Sequence, residues 1–277
     1  MNNISKSIKP VLMVAAVIFV ISCFYFPADA HEIWFYCPQN DIHIGDAVRV
    51  EYGVGETLFT TPDPNWIEWL SGELEVIKVY LIDPDGIKSE MTLKRDGNVL
   101  AGTFTAQKKG TYLVYYMREN DYLTQTTKGW KRQKPEGLEG VIKSVNANFY
   151  QKIIINVEES SDNYSRQLDG LMEIVPVDDP AKMKPGDEIR FKVIYKGKNA
   201  PMDVVVWGSY PGYSKHSHNW CYFGIPDKDG LVYFKPLHNG PWQIGAEKYP
   251  DDELLIEKQK TGIKHSYDAA VTFRLRD

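Results

Sequence analysis

The chain has 277 residues, a formal net charge of −5, 43% hydrophobic and 25% charged residues, and three cysteines. No basic stripe interrupts this mildly acidic composition, which speaks against a nucleic-acid partner. No Gly-x-Ser-x-Gly elbow, His-Glu-x-x-His helix, phosphate loop or dinucleotide fingerprint is present, so the common hydrolase, metalloprotease and nucleotide-dependent classes lack their signatures.

The first element is an export segment. Lys6 and Lys9 precede an apolar run from Val11 to Phe26, and Ala28-Asp29-Ala30 has the small-x-small form of a signal-peptidase site. The run falls short of the roughly 20 residues of a membrane-spanning helix. It therefore reads as a signal peptide over residues 1–30, whose removal makes His31 the first residue of a periplasmic or surface protein. Two alternatives stay open. The segment can persist as an N-terminal anchor, or Val20-Ile21-Ser22-Cys23, which has the form of a lipoprotein box, can leave a lipidated Cys23 as a membrane tether. Without residues 1–30 the chain keeps 247 residues and a net charge of −6, because Lys6, Lys9 and Asp29 leave. That length suits one large or two ordinary domains.

Short runs rich in Val, Ile, Tyr and Phe then follow one another: Ala47 to Tyr52, Glu75 to Leu81, Leu100 to Phe104, Thr111 to Met117, Lys152 to Val157, Glu188 to Tyr195, Asp203 to Trp207, Leu231 to Phe234 and Ala269 to Leu275. These are strand patterns. Pro84-Asp85-Gly86, Lys108-Lys109-Gly110, Lys184-Pro185-Gly186 and Lys228-Asp229-Gly230 supply turns, because their glycines reach positive φ and their prolines hold φ near −65°. Many short strands predict an all-β protein built of sandwiches or barrels. Helical periodicity is weak except over Asp162 to Leu171, a polar stretch between two strand-rich halves. The expected organisation is two immunoglobulin-like or related β-sandwich domains, residues 31–160 and 168–277, each with a Gly-Asp strand entry (His43-Ile44-Gly45-Asp46 and Lys184-Pro185-Gly186-Asp187).

Cys37 and Cys221 form an even pair in a compartment that permits disulfides. One disulfide is expected, with two free thiols or a thiolate ligand at Cys221 as alternatives. If the two were joined with their segments running in the same direction, His31 would fall beside His216.

Gly170-Leu171-Met172-Glu173-Ile174-Val175-Pro176, Lys196-Gly197-Lys198-Asn199, Asp227-Lys228-Asp229-Gly230, Gly240-Pro241-Trp242 and Tyr267 to Phe273, together with the opening His31-Glu32-Ile33-Trp34, resemble the exported family known as domain of unknown function 4198 (DUF4198). Its members are described as nickel-transport or nickel-uptake accessory proteins. The resemblance implies an extracytoplasmic β protein that serves a membrane metal-uptake transporter and binds a transition metal, nickel first, with cobalt, copper and zinc as alternatives. Many members carry a His shortly after the Gly-x-Trp strand, where this chain has Ala246-Glu247, so Glu247 is either a substitute oxygen ligand or a surface carboxylate.

The candidate metal ligands are His31, His216, His218 and His265. A terminal His offers an amine and an imidazole from one residue, a chelate suited to Cu(II), Ni(II) or Co(II). His216 and His218 stand two apart, so on extended backbone both imidazoles face one way. His265, near Tyr267 and the last strand, is a supplementary donor. Two other readings use the same features. A copper oxygenase would hold its ion in a brace formed by His31 and a second His, whereas a glycan- or protein-binding sandwich would use the aromatic loop from Trp207 to Tyr222.

Overall fold

Alternation of apolar and polar side chains, cut by glycine and aspartate turns, produces a protein that is almost entirely strand. The computed structural model describes residues 31–60, 62–71, 77–248 and 263–275; residues 1–30, where the export segment and a lipidated Cys23 are expected, lie outside these. In chain order come β1 (Glu32–Tyr36), β2 (Ala47–Gly55), the short helix α1 (Pro64–Ser71), β3 (Ile77–Ile82), β4 (Lys88–Met91), β5 (Lys94–Asp96), β6 (Val99–Thr105), β7 (Gly110–Thr126), β8 (Gly129–Lys131) and β9 (Val141–Val157). The chain continues with β10 (Met172–Pro176), β11 (Ile189–Tyr195), β12 (Lys198–Asn199), β13 (Val205–Ser209), β14 (Tyr222–Gly224), β15 (Leu231–Phe234), β16 (Gly240–Lys248) and β17 (Ile263–Leu275).

Among the described residues these strands make three sheets. One has the order β1-β2-β6-β5, and a second has β10-β11-β12 with β15 also on β11. The largest, nine-stranded, has the order β14-β13-β16-β17-β9-β7-β3-β4, with β8 on β7. Its pairings are antiparallel except one: β17 runs parallel to β9 from Ile263 opposite Ser144 to Thr272 opposite Ile153. A parallel pair needs a long crossover, and the whole second sheet lies within it. The large sheet therefore passes through both halves of the sequence.

Both faces of this sheet are covered, which follows from the two-residue period of a strand. On one face Tyr112, Val114 and Tyr116 of β7 and Ile153, Ile155 and Val157 of β9 pack with Phe35, Val48, Val50, Tyr52 and Leu100 from the first sheet. On the other, Leu113, Tyr115, Tyr150 and Ile154 join Trp242, Ile244, Val271 and Phe273, against Ile174, Phe191 and Val193 of the second. The first core draws its buried residues from 35–157 and the second mainly from 172–275.

The turns follow local chemistry. Gly45 and Gly186 have φ of 96° and 94°, and the aspartate after each accepts the N–H three residues before it, Asp46 from His43 and Asp187 from Lys184, both at 2.8 Å. The expected helical segment at Asp162 to Leu171 is only a 3-10 turn, Asp162–Ser165. Asn163 there donates to the carbonyls of Asp83 and Thr111, a tertiary attachment that a polar, weakly periodic stretch does not disclose.

The expected disulfide is not formed: Cys37 and Cys221 are free thiols. Cys37 lies beside Arg274, whose partner in β16 is Pro241. Cys221 donates to the Gly208 carbonyl at 3.2 Å, and Gly208 pairs with Ile244. Three residues of strand, roughly 10 Å, separate these levels, more than a disulfide spans. Burial pushes the Cys37 thiol up to about 11 and also raises that of Cys221, so neither is a ready thiolate at neutral pH.

Candidate functional site

The site is assembled around the first two described residues, whose side chains serve different neighbours. His31 places its ring 5.1 Å from that of Trp66 and its Nε2 3.2 Å from Oδ2 of Asp63. Asp63 is fixed by its place at the start of α1. Pro64 opens the helix, and Asp63 Oδ1 accepts the Asn65 N–H at 2.8 Å, as an N-cap aspartate does. The Asn65 N–H, followed by the His31 bond, holds the Asp63 carboxyl below its ordinary range. A helix cap thus presents an ionised carboxylate to His31.

Glu32, 5% exposed, accepts the His218 N–H at 2.5 Å and the Trp220 indole N–H at 3.1 Å on the same oxygen. His218 has a φ of 55°, a left-handed conformation uncommon away from glycine. Trp220 stacks on Trp207 with centroids 5.1 Å apart, and the Trp207 indole donates to Glu247 at 3.0 Å. The Trp207 ring occupies the space over Gly245, where a Cβ would sit 2.1 Å from it. Beside the Trp207 indole three carboxyl groups act in sequence, Glu32 on Glu247 and Glu247 on Asp268. Burial raises Glu32 and Glu247, and Glu32 adds to the shift of Glu247. Asp268, opposite Glu247 in the ladder, is raised well above its usual range by burial and then by Glu247, while the buried Arg118 opposes the shift. Arg118 pairs with Asp121 at 3.1 Å, and Asp121 also takes the Arg132 Nε at 2.5 Å. The register shift of β7 between Arg118 and Asp121 brings the first two together.

The sequence-predicted residues divide as follows. The His31–Glu32 segment and the histidine loop do meet, through Glu32 and the His218 backbone, while the His31 ring engages Asp63 and Trp66. His216 is exposed, with its N–H on Ser214 Oγ at 2.9 Å. The exposed His218 ring lies 5.3 Å from Trp220. His265, opposite Asn146 on β17, shares its face with Tyr267 of the second core, whereas Asp268 is on the face toward β1. Among the described residues no three His, Cys, Asp or Glu side chains stand together as metal ligands. Glu247 is neither exposed nor unpartnered. Glu32, Asp63 and Asp268 were not singled out by sequence; Glu32 and Asp268 carried a signal only as members of the family motifs His31-Glu32-Ile33-Trp34 and Tyr267 to Phe273.

The chain belongs to the DUF4198 family, a domain of unknown function whose model matches residues 28–248. No curated protein matches it. Among solved structures it is similar to a Salmonella alpha-2-macroglobulin reacted with methylamine, at 12% identity over 87% of this chain and 14% of that one, with a TM-score of 0.25. It is also similar to a DUF4785 family protein from Legionella pneumophila (9% identity, 79% and 53% covered, TM-score 0.25) and to the D0-D1 domain of Intimin (9%, 88% and 99%, TM-score 0.20). The chain spans about one-seventh of the length of that alpha-2-macroglobulin. Scores this low leave the activity to be argued from the site itself. Among the described residues no helix is long and apolar enough to cross a membrane.

Proposed function

We propose that this is an extracytoplasmic transition-metal-binding protein, an accessory of nickel or cobalt uptake, whose primary ligand is His31 at the terminus left by cleavage after Ala30. The observation that carries the reading is the His31–Asp63 pair. Asp63 engages Nε2 and leaves Nδ1, the ring nitrogen that closes a chelate with the α-amine of the same residue. A carboxylate on the far nitrogen is the usual support of a metal-ligating imidazole, because it holds the ring and its tautomer. The amine and Nδ1 supply two nitrogen donors of a type that suits Ni(II), Co(II), Cu(II) or Zn(II) better than Mg(II) or Ca(II). His216 and His218, on the loop tied to Glu32, are the proposed supplementary donors, whereas His265, on the opposite face of the sheet, is left out of the set; the receiving partner is a membrane transporter. Raw affinity order favours copper, so preference for nickel must come from geometry or metal supply.

Binding displaces protons from both nitrogens, so affinity should fall as the pH is lowered. The test is titration of Ni(II), Co(II) and Cu(II) into protein beginning at His31, into protein with one residue added ahead of His31, and into Asp63→Asn. We expect the added residue to abolish the chelate and Asp63→Asn to weaken it about 10- to 100-fold. Unchanged affinity on extension, or an intact mass showing lipid on Cys23, overturns the reading. Reductant-dependent oxygen consumption by the copper form would favour an oxygenase instead.

A further inference from the structure

The parallel strands β9 and β17 do not stay together to their ends. Their ladder stops at Ile153 and Thr272, although β9 continues to Val157 on β7 and β17 to Leu275 on β16. Past that point Ile42 occupies the place beside Val157 by a single parallel bridge, with the Glu158 N–H donating to its carbonyl at 2.9 Å. The parting of the strands opens a cleft of about 470 Å³, walled by residues 153–156 and 272–275 and bordered by 239–241 and the segment from Cys37 to Ile42. Its size is within the range of about 300–1,000 Å³ found for small-molecule sites.

Two charged side chains line it, Arg274 and Asp41. Arg274 is partly buried, and the withdrawal from water disfavours its charged form. Asp41 is exposed and acts on Arg274 through space, but among the described residues no carboxylate forms an ion pair with this guanidinium. An arginine drawn out of water without a partner is costly. A planar carboxylate docking two-pronged on the guanidinium would offset that cost. A positive and a negative group thus face one cleft without touching, with Asn40 offering an amide and Ile42, Ile155 and Pro241 an apolar wall. A ligand with only a carboxylate would leave Asp41 unmatched.

We propose that this cleft binds a small zwitterion of the α-amino acid type, its carboxylate on Arg274 and its ammonium toward Asp41. A thermal-shift screen of the proteinogenic amino acids against the exported chain should give a raised melting temperature with at least one of them. Calorimetry then compares that amino acid with its deaminated and decarboxylated forms. The intact amino acid should bind at least tenfold more tightly than either. Arg274→Met should weaken it tenfold or more, and Arg274→Lys, which keeps the charge without the fork, should weaken it less. Asp41→Asn should weaken the amino acid while leaving the deaminated form unchanged. A residue added ahead of His31 should have no effect, which separates this cleft from the proposed metal site. No response in the screen, equal binding of the three forms, or undiminished affinity in Arg274→Met would overturn the proposal.

Discussion

The two faces of β16 and β17 are made by the same strands and have opposite chemistry. Toward the second sheet, Trp242, Ile244, Ala246, Val271 and Phe273 are buried together as core. Toward β1, the alternating residues are Gln243, Gly245 and Glu247, with Asp268 and Thr272 on the neighbouring strand. Gln243, fully buried, donates from Nε2 to the Ile33 carbonyl at 2.9 Å, and Gln151 of β9 reaches the same carbonyl at 3.5 Å. The apolar face gains from removing surface from water at roughly 25 cal/mol per Å². The polar face repays desolvation only where each group finds a partner. One face is thus built for stability, and the other carries raised carboxyl groups beside β1, as functional surfaces commonly do.

The contrast can be broken most severely from the apolar side. Phe273 is 2% exposed and packs 5.5 Å from Phe191, so Phe273→Ala should cost about 3–5 kcal/mol in denaturant unfolding. Next is Glu32→Ala, which leaves the His218 and Trp220 N–H groups without their acceptor; it should cost about 1–3 kcal/mol, and Glu32→Gln, which keeps an acceptor, clearly less.

Glu247→Gln sharpens the comparison through pH. Glu247 and Asp268 have raised carboxyl groups in the folded protein, so the folded state holds more protons than the unfolded one above the ordinary carboxylate range. Stability contributed by these groups is therefore present at low pH and lost as pH rises through their folded values. We expect Glu247→Gln to raise the melting temperature at pH 7.5 by about 2–4 °C, equivalent to about 1 kcal/mol, and to leave it nearly unchanged near pH 4. A gain of equal size at both values would contradict this. The smallest effect belongs to the cysteines: with no disulfide to break, reductant should leave the melting temperature unchanged, and a thiol reagent should label exposed Cys221 before Cys37.

How much of this was legible in the sequence depends on how local the cause is. The Gly-Asp entries at Gly45-Asp46 and Gly186-Asp187 were readable because each is completed within four residues, by a positive φ and one side-chain bond. Most long strands were readable too, though β7 and β9 run to 17 residues each, beyond the runs that composition marks. β1, β4, β5, β8, β10, β12, β14 and α1 lie outside the runs that composition marks, and β16 entered only through the family's Gly-x-Trp strand. β1 contributes only five residues, and its Trp34 and Phe35 are both buried, which blurs the alternation. His31 was picked out for its place after Ala30, but its partner Asp63 was not, since 32 residues and a helix cap lie between them.

By itself, the sequence determined the strand content, the turns and the family opening His31-Glu32-Ile33-Trp34, because periodicity, glycine φ and proline geometry act over a few residues. Only the tertiary structure decided that β17 lies parallel to β9, that Glu32 meets His218 across 186 residues, that His265 faces away from Asp268, and that Cys37 and Cys221 stay apart. Those outcomes depend on long-range strand order and register, which settle the face each residue presents, and a shift of one residue would exchange the faces.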